Sequence, residues 1–178
     1  MPNRHPPLPQ IWLISDARND STLERALTCL PRGSGLIYRH YHLAPAERRA
    51  RFETLACVAR RFGHRVILSG TPGQARAWKA DGAYGAAEKL TQGPATLRFV
   101  TVHSLRELAR AHRARADAVL LSPVYPTRSH PGAATLGPAR FHLLAARSAV
   151  PVIALGGMTR HRAHHLPTRK WAAIQTFA

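Results

Sequence analysis

Cysteine occurs only twice in this 178-residue chain, at Cys29 and Cys57, so no disulfide framework or cysteine-built metal site is implied. Both thiols fall within helical apolar patterns, where a free cysteine is expected to serve as a small core side chain. No apolar run reaches the roughly 18 to 20 residues that a membrane-spanning helix needs. The start of the chain, interrupted by Pro2, Pro6, Pro7 and Pro9, lacks the continuous apolar stretch of a secretory leader. Together these absences predict a cytoplasmic protein with no membrane partner. Acidic residues are scarce as well: 9 Asp and Glu face 26 Lys and Arg, giving a formal charge of +17. A field of that sign attracts nucleic acid, anionic surfaces and phosphorylated metabolites alike. There is no compact basic tail, and aromatic residues, 7% of the total, rarely interleave with the arginines. Arg48, Arg49, Arg51, Arg60, Arg61, Arg106, Arg110, Arg113 and Arg115 are spread over several helical patterns and read as solvated helix faces rather than a nucleic-acid surface.

What is present is material for one substantial core, with 45% hydrophobic residues and no sign of a second, so residues 1–178 are expected to form a single domain. Short apolar runs at 11–15, 35–39, 65–68, 82–84, 97–102, 117–122, 151–155 and 171–174 read as strands. Helical patterns separate most of them: 21–30, capped by Ser21 and Thr22, then 45–62, 74–79, 105–116, 138–149 and a brief turn at 159–165. This rhythm predicts an α/β chain with a parallel sheet, and eight strands favour a closed TIM-type (β/α)8 barrel over an open doubly wound sheet. The barrel is expected to be compact, well below the roughly 250 residues usual for the architecture, and to lack the final helix. Its outer wall near the first and last strands is therefore expected to be exposed or covered by a partner, which leaves room for a homo-oligomer.

Two segments carry most of the functional signal. In 120–130 and again in 150–158, a short apolar run stops at a cluster of hydroxyl-bearing or glycine residues, the pattern of buried parallel strands that deliver a ligand site at their C-terminal ends. Thr127 and Ser129 offer hydroxyl donors to phosphate oxygens, and Gly156 and Gly157 remove side chains that would keep a phosphate from backbone N–H groups. The simpler alternative is that Pro126 and Gly132 shape a loop while the glycine pair turns the chain.

With these segments in view, the whole chain resembles the thiamine phosphate synthase family, which includes the related thiazole tautomerases. The resemblance rests on Trp12-Leu13-Ile14-Ser15-Asp16, Ala80-Asp81-Gly82, residues 100–107, Ser122-Pro123-Val124-Tyr125-Pro126-Thr127 and residues 151–158. It implies a barrel that joins a pyrimidine diphosphate to a thiazole phosphate with loss of pyrophosphate, assisted by Mg2+. On the same resemblance Thr101, Thr127 and Ser129 hold phosphate or pyrophosphate, Gly156 and Gly157 hold the thiazole phosphate, and Arg39 meets the pyrophosphate. Arg39 is the expected catalytic cation, or else the partner of Asp16 or Asp81.

The departures point the other way. Ser69-Gly70 stands where the family has an Asn-Asp pair, and Glu88-Lys89 occupies the neighbourhood of a second metal-binding Asp. Tyr41 and His130 replace two family lysines. Fewer carboxylates and more cations make a site that holds an anion without metal, so no metal ligand is assigned and Mg2+ is carried only as a family property. The tautomerase alternative needs an acid/base group, and His130 is its candidate here. A catalytically silent phosphate-binding barrel and a basic nucleic-acid-binding module complete the alternatives. His103 is expected to fix a loop rather than to catalyse, and His161, His164 and His165 to form a surface cluster rather than a zinc site.

Overall fold

The structure is a computed structural model that describes residues 7–127, 132 and 134–174. Eight strands succeed one another around a closed parallel barrel: β1 (Ile11–Ile14), β2 (Gly35–Tyr38), β3 (Arg65–Ser69), β4 (Gly82–Gly85), β5 (Leu97–Val102), β6 (Ala118–Leu121), β7 (Val152–Ala154) and β8 (Trp171–Ala173). The ring closes where β8 pairs with β1, Ala172 opposite Trp12. Seven helices lie among the described residues: α1 (Leu23–Cys29), α2 (Pro45–Arg61), α3 (Pro72–Ala77), α4 (Ala87–Leu90), α5 (Leu105–Arg113), α6 (Gly137–Ala145) and α7 (Arg160–His164). The TIM-type barrel expected from the strand rhythm is the fold.

The strands read as continuous apolar runs because both of their faces are buried. Alternate residues point inward and outward. Trp12, Ile14, Ile37, Ile67, Phe99, Leu120 and Ile153 fill the interior. Leu13, Leu36, Val66, Leu68, Val100 and Val119 belong to a second cluster with Leu27 of α1, Leu55 of α2, Leu108 of α5 and Phe141 of α6. The interior layer depends on one size match. A Cβ on Gly35 would lie 2.2 Å from the indole of Trp12, so glycine at the start of β2 leaves the volume that tryptophan occupies. The indole Nε1 donates to Pro9 O at 2.9 Å, and the ring meets Phe99 edge-on at 4.9 Å.

Several local expectations are corrected. Ser21 and Thr22 do not cap α1; the chain first makes a 3-10 turn, Ala17–Thr22, capped by Asp16, whose carboxylate accepts from Arg18 N while Asn19 Oδ1 accepts from Asp16 N at 2.8 Å. Helix α3 begins before the expected Gln74, because Thr71 and Gln74 form a capping box with Pro72 in the first turn. The one-turn helix α4 was not anticipated. Cys29 and Cys57 are both exposed, on the outer sides of α1 and α2, rather than in the core. The wall at the barrel seam is not bare either: Leu13, Trp171 and Ala173 are 1%, 4% and 6% exposed, in one cluster with Leu23 and Leu27 of α1 and Leu166 just after α7. Among the described residues, this removes the apolar surface that motivated an expected partner.

Beside the seam, Asp20, Glu24, Arg51, His40 and Ser15 make a polar network. Arg51 of α2 donates to Asp20 Oδ1 at 2.7 Å and grips Glu24 through two nitrogens, contrary to its expected place on a solvated face. His40, fully buried and stacked on Tyr38, faces Ser15 Oγ through Nδ1 and Asp20 Oδ1 through Nε2, each at 2.8 Å. Burial lowers the pKa of His40 below its usual 6.5 even though Asp20 opposes the shift, and burial does the same to His64. The hydrogen bond from Arg51 holds Glu24 below its usual range, and for Asp20 the bonds from His40 and Arg51 outweigh the upward push of burial.

The four shifts act in one direction. About one pH unit above 6.5 both histidines are neutral folded or unfolded, and the full stability is present. As pH falls, the unfolded chain takes up protons that the native state refuses, so stability drops first through the histidines, and the carboxylates add to the loss only below their usual 3.8 and 4.5. The melting temperature is therefore expected to decline between about pH 7.5 and pH 5.5. His64→Gln, which keeps a donor for Leu27 O, is expected to flatten part of that slope. Scanning calorimetry showing a level melting temperature across the interval, with folded protein throughout, would contradict this.

Candidate active site

All eight strands deliver their C-terminal ends to one side of the barrel, where a cavity of about 1120 Å³ opens. Its floor is made by Ser69, Tyr84, Thr101 and Ala172 near the strand ends, with Ser122 and Leu155 one residue past β6 and β7. Parallel strands place these side chains in a ring, and the loops that follow supply the charged rim. Arg18 follows β1, Arg39 follows β2, Lys89 lies on α4 and Arg162 on α7. Glu107 is the sole carboxylate among the described lining residues.

These cations differ in what already holds them. Arg18 pairs with Asp16 at 2.6 Å. Arg162 donates to Gly157 O and lies over the Tyr125 ring at 4.7 Å. Arg39 lies 5.4 Å from the Tyr41 ring centroid, and among the described residues neither Arg39 nor Lys89 enters an ion pair. Arg39 makes no ion pair with Asp16 or Asp81, although its charge adds to that of Arg18 in holding the Asp16 carboxyl below its usual range. Asp16 is engaged by Arg18, and Asp81 stands before β4, at the opposite end of the barrel, accepting from Val66 N at 2.7 Å.

Arg48 of α2 holds the second and third strands at the mouth. Its Nε donates to Arg39 O at 2.9 Å, its Nη2 to Ser69 O at 2.7 Å, and its guanidinium lies over Tyr38, Tyr41 and Trp78. It thereby fixes the backbone that carries Arg39, Tyr41 and Ser69, and the Tyr41 and Ser69 hydroxyls hydrogen-bond to each other. Arg48 is thus bound to the strand ends instead of lying on the solvated face expected of it. Arg18 and Arg162 are two further site residues that no motif marks; the signal for them is only their place four and eight residues past the ends of β1 and β7.

The phosphate-binding candidates fare differently. Thr101 and Thr127 line the cavity, with the buried Tyr84 phenol bonded to Thr101 and raised above its usual pKa by burial. Gly156 and Gly157 line it as well, with φ of +94° and +60°. Their lack of side chains is required by the neighbouring loop: a Cβ would sit 2.7 Å from Pro123 at Gly156 and 2.4 Å from Pro126 O at Gly157. Backbone bonds lock the two segments together, Val124 N to Leu155 O at 2.9 Å and Tyr125 N to Gly156 O at 3.1 Å. The Ser122-Pro123 peptide is cis. Ser129 and His130 lie outside the described residues.

His103 lines the cavity, with Nδ1 2.6 Å from Ser122 O and its backbone N–H donating to Glu107 Oε2 at 2.8 Å. Its ring makes the expected backbone contact with the loop after β6. His161 and His165 touch edge to face on the exposed side of α7.

Residues 11–175 match the family model described as thiamine monophosphate synthase. The chain belongs to that family. It is 30% identical to a thiamine-phosphate synthase of Chlorobium luteolum (strain DSM 273 / BCRC 81028 / 2530), over 95% of this chain and 84% of that protein. A thiamine-phosphate synthase of Parasynechococcus marenigrum (strain WH8102) is also 30% identical over 85% of the chain, which spans only 45% of that longer relative. In structure, the barrel is similar to a thiamine phosphate pyrophosphorylase from Pyrococcus furiosus, with a TM-score of 0.78 at 20% identity, covering 93% of this chain and 85% of the other.

Family membership raises the question of Mg2+. A hard divalent cation needs several oxygen ligands, usually including carboxylates. Ser69 and Gly70 line the cavity where the family's Asn-Asp pair is expected, and Glu88 turns away to pair with Arg110 at 3.2 Å, leaving Lys89 to face the cavity. Glu107 is committed to the His103 backbone. The described lining residues of this family member do not fit a bound Mg2+ ion. A separate group, Asp20, His40 and His42, brings ligand atoms within 4.8 Å of one another, but Arg51 already occupies the Asp20 carboxylate.

Proposed function

We propose that this barrel joins a pyrimidine-methyl diphosphate to a thiazole phosphate, forming thiamine phosphate and releasing pyrophosphate. The observation that carries the reading is the division of the cavity rim into two sides, each with a cation and hydrogen-bond donors suited to an anion. Arg39, Lys89, Tyr41 and Ser69 stand over β2 to β4, while Arg162, Thr127 and the Gly156-Gly157 backbone stand over β6 to β8. At about 1120 Å³ the cavity exceeds the roughly 300 to 1,000 Å³ of sites for one drug-sized ligand, in keeping with two substrates held together.

In this reaction the C–O bond to the diphosphate breaks with its electron pair leaving on pyrophosphate, and the thiazole nitrogen lone pair forms the new C–N bond. No proton transfer is required. The negative charge that builds on the leaving group is stabilised by cations already held in place, the contribution that usually dominates such chemistry. Exposed thiols at Cys29 and Cys57 accord with the reducing cytoplasm in which this reading sets the protein.

A second reading, a silent barrel that binds phosphorylated ligands without turnover, is favoured by the shortage of carboxylates around the cavity. The tautomerase reading rests on His130, outside the described residues. Direct measurement of thiamine phosphate from purified protein, with both substrates and with or without Mg2+, separates them. Product is the expected result; folded protein that binds thiazole phosphate and yields none would establish the silent binder.

A further inference from the structure

The lining residues that depart from the family's pattern are not scattered. Ser69 ends β3 with Gly70 directly after it, Lys89 sits on α4 immediately after the next strand, and Tyr41 follows the strand before, two residues past the Arg39 that matches the family. These residues thus share one arc of the mouth, β2 to β4, where neighbouring strands are paired. Within this arc the described lining residues include two side-chain cations without an ion-pair partner and no carboxylate. Arg48, holding both Arg39 O and Ser69 O, adds a third positive charge behind them.

A magnesium diphosphate complex suits a site whose carboxylates complete the metal's coordination; a bare diphosphate suits a site that supplies the counter-charge itself. We infer that this arc binds diphosphate as the metal-free anion, with Arg39 and Lys89 doing what the divalent ion does elsewhere in the family and the Tyr41 hydroxyl, accepting from Ser69, donating to its oxygens. This rests on the proposed synthase reading for its biological ligand but is testable without it. Mg2+ and the protein then compete for the same oxygens, so added metal weakens binding instead of supporting it.

The test is calorimetric titration of the full chain with inorganic pyrophosphate, first in chelator and then at rising Mg2+. Saturable binding in chelator that weakens as Mg2+ is added is the expected result. Lys89→Gln is expected to weaken the chelator-phase affinity about tenfold or more, as for loss of a charged hydrogen bond, and Lys89→Arg to keep most of it. Circular dichroism verifies that each variant is folded. Binding that appears only with Mg2+, no binding in either condition, or a Lys89→Gln variant with unchanged affinity would overturn the inference. Turnover separates this from the reading on which it rests. Metal-free binding without product keeps the inference and removes the synthase, whereas product formed only with Mg2+ keeps the synthase and removes the inference.

Discussion

Gly157→Ala is expected to reduce thiamine phosphate formation by at least about a hundredfold, while lowering the melting temperature by only a few degrees. The new methyl group would lie 2.4 Å from Pro126 O and 2.9 Å from Tyr125 Cβ, on a backbone whose φ of +60° already disfavours a side chain. Backbone cannot yield as a flexible side chain does, so the 125–127 segment must withdraw. With it go Thr127, which lines the cavity, and Tyr125, against which Arg162 is packed. A shift of about 1 Å in groups that position a substrate is enough for a loss of that size. The control is Gly73→Ala in α3, where a Cβ meets nothing nearer than 3.9 Å and φ is ordinary. Steady-state kinetics and thiazole phosphate affinity check the pair. A Gly157→Ala enzyme with near-normal values for both would show that the loop is not held as tightly as the overlap implies.

The largest expected loss of stability comes from a single amide. Asn19, 6% exposed, donates from Nδ2 to Ile14 O at 3.0 Å and to Ile174 O at 2.6 Å, and accepts from Asp16 N at 2.8 Å. It therefore joins the residue that ends β1 to the one that follows β8, across the seam that closes the barrel. Asn19→Ala strands several polar backbone groups at once, at about 1 kcal/mol or more each, so unfolding free energy is expected to fall by about 3 kcal/mol. Asn19→Asp, which fits the space but turns an oxygen toward two carbonyls, is expected to be no better. Thr28→Ala, whose hydroxyl donates to Arg25 O on an exposed helix face, serves as the near-neutral comparison. Urea unfolding with a midpoint unchanged in Asn19→Ala would refute the assignment.

The strands were legible because a buried parallel strand is a short apolar run with clear ends; β5 matches its expected bounds to the residue. Helix ends were harder. The capping box at Thr71 was written in the chain but passed over in favour of Gln74, and α4 is too short to show a period. Arg48 and Arg51, expected on solvated faces, are engaged instead, since a charged residue does not tell which side of α2 overlooks the strand ends. The Gly156-Gly157 signal was read as access for a phosphate, and a close loop contact proved to demand the same residue. Conversely, Ser69, Gly70 and Lys89 were plain in the sequence, because replacing a carboxylate is visible without knowing where it points.

The match between Trp12 and Gly35 has a kinetic consequence. With Ile37, Ile67, Phe99, Leu120 and Ile153 all at 0% exposure beneath the cavity, the barrel is a well with one opening rather than a tunnel. Both substrates and both products therefore use the same mouth. Whatever lies across that opening blocks every entry and every exit at once.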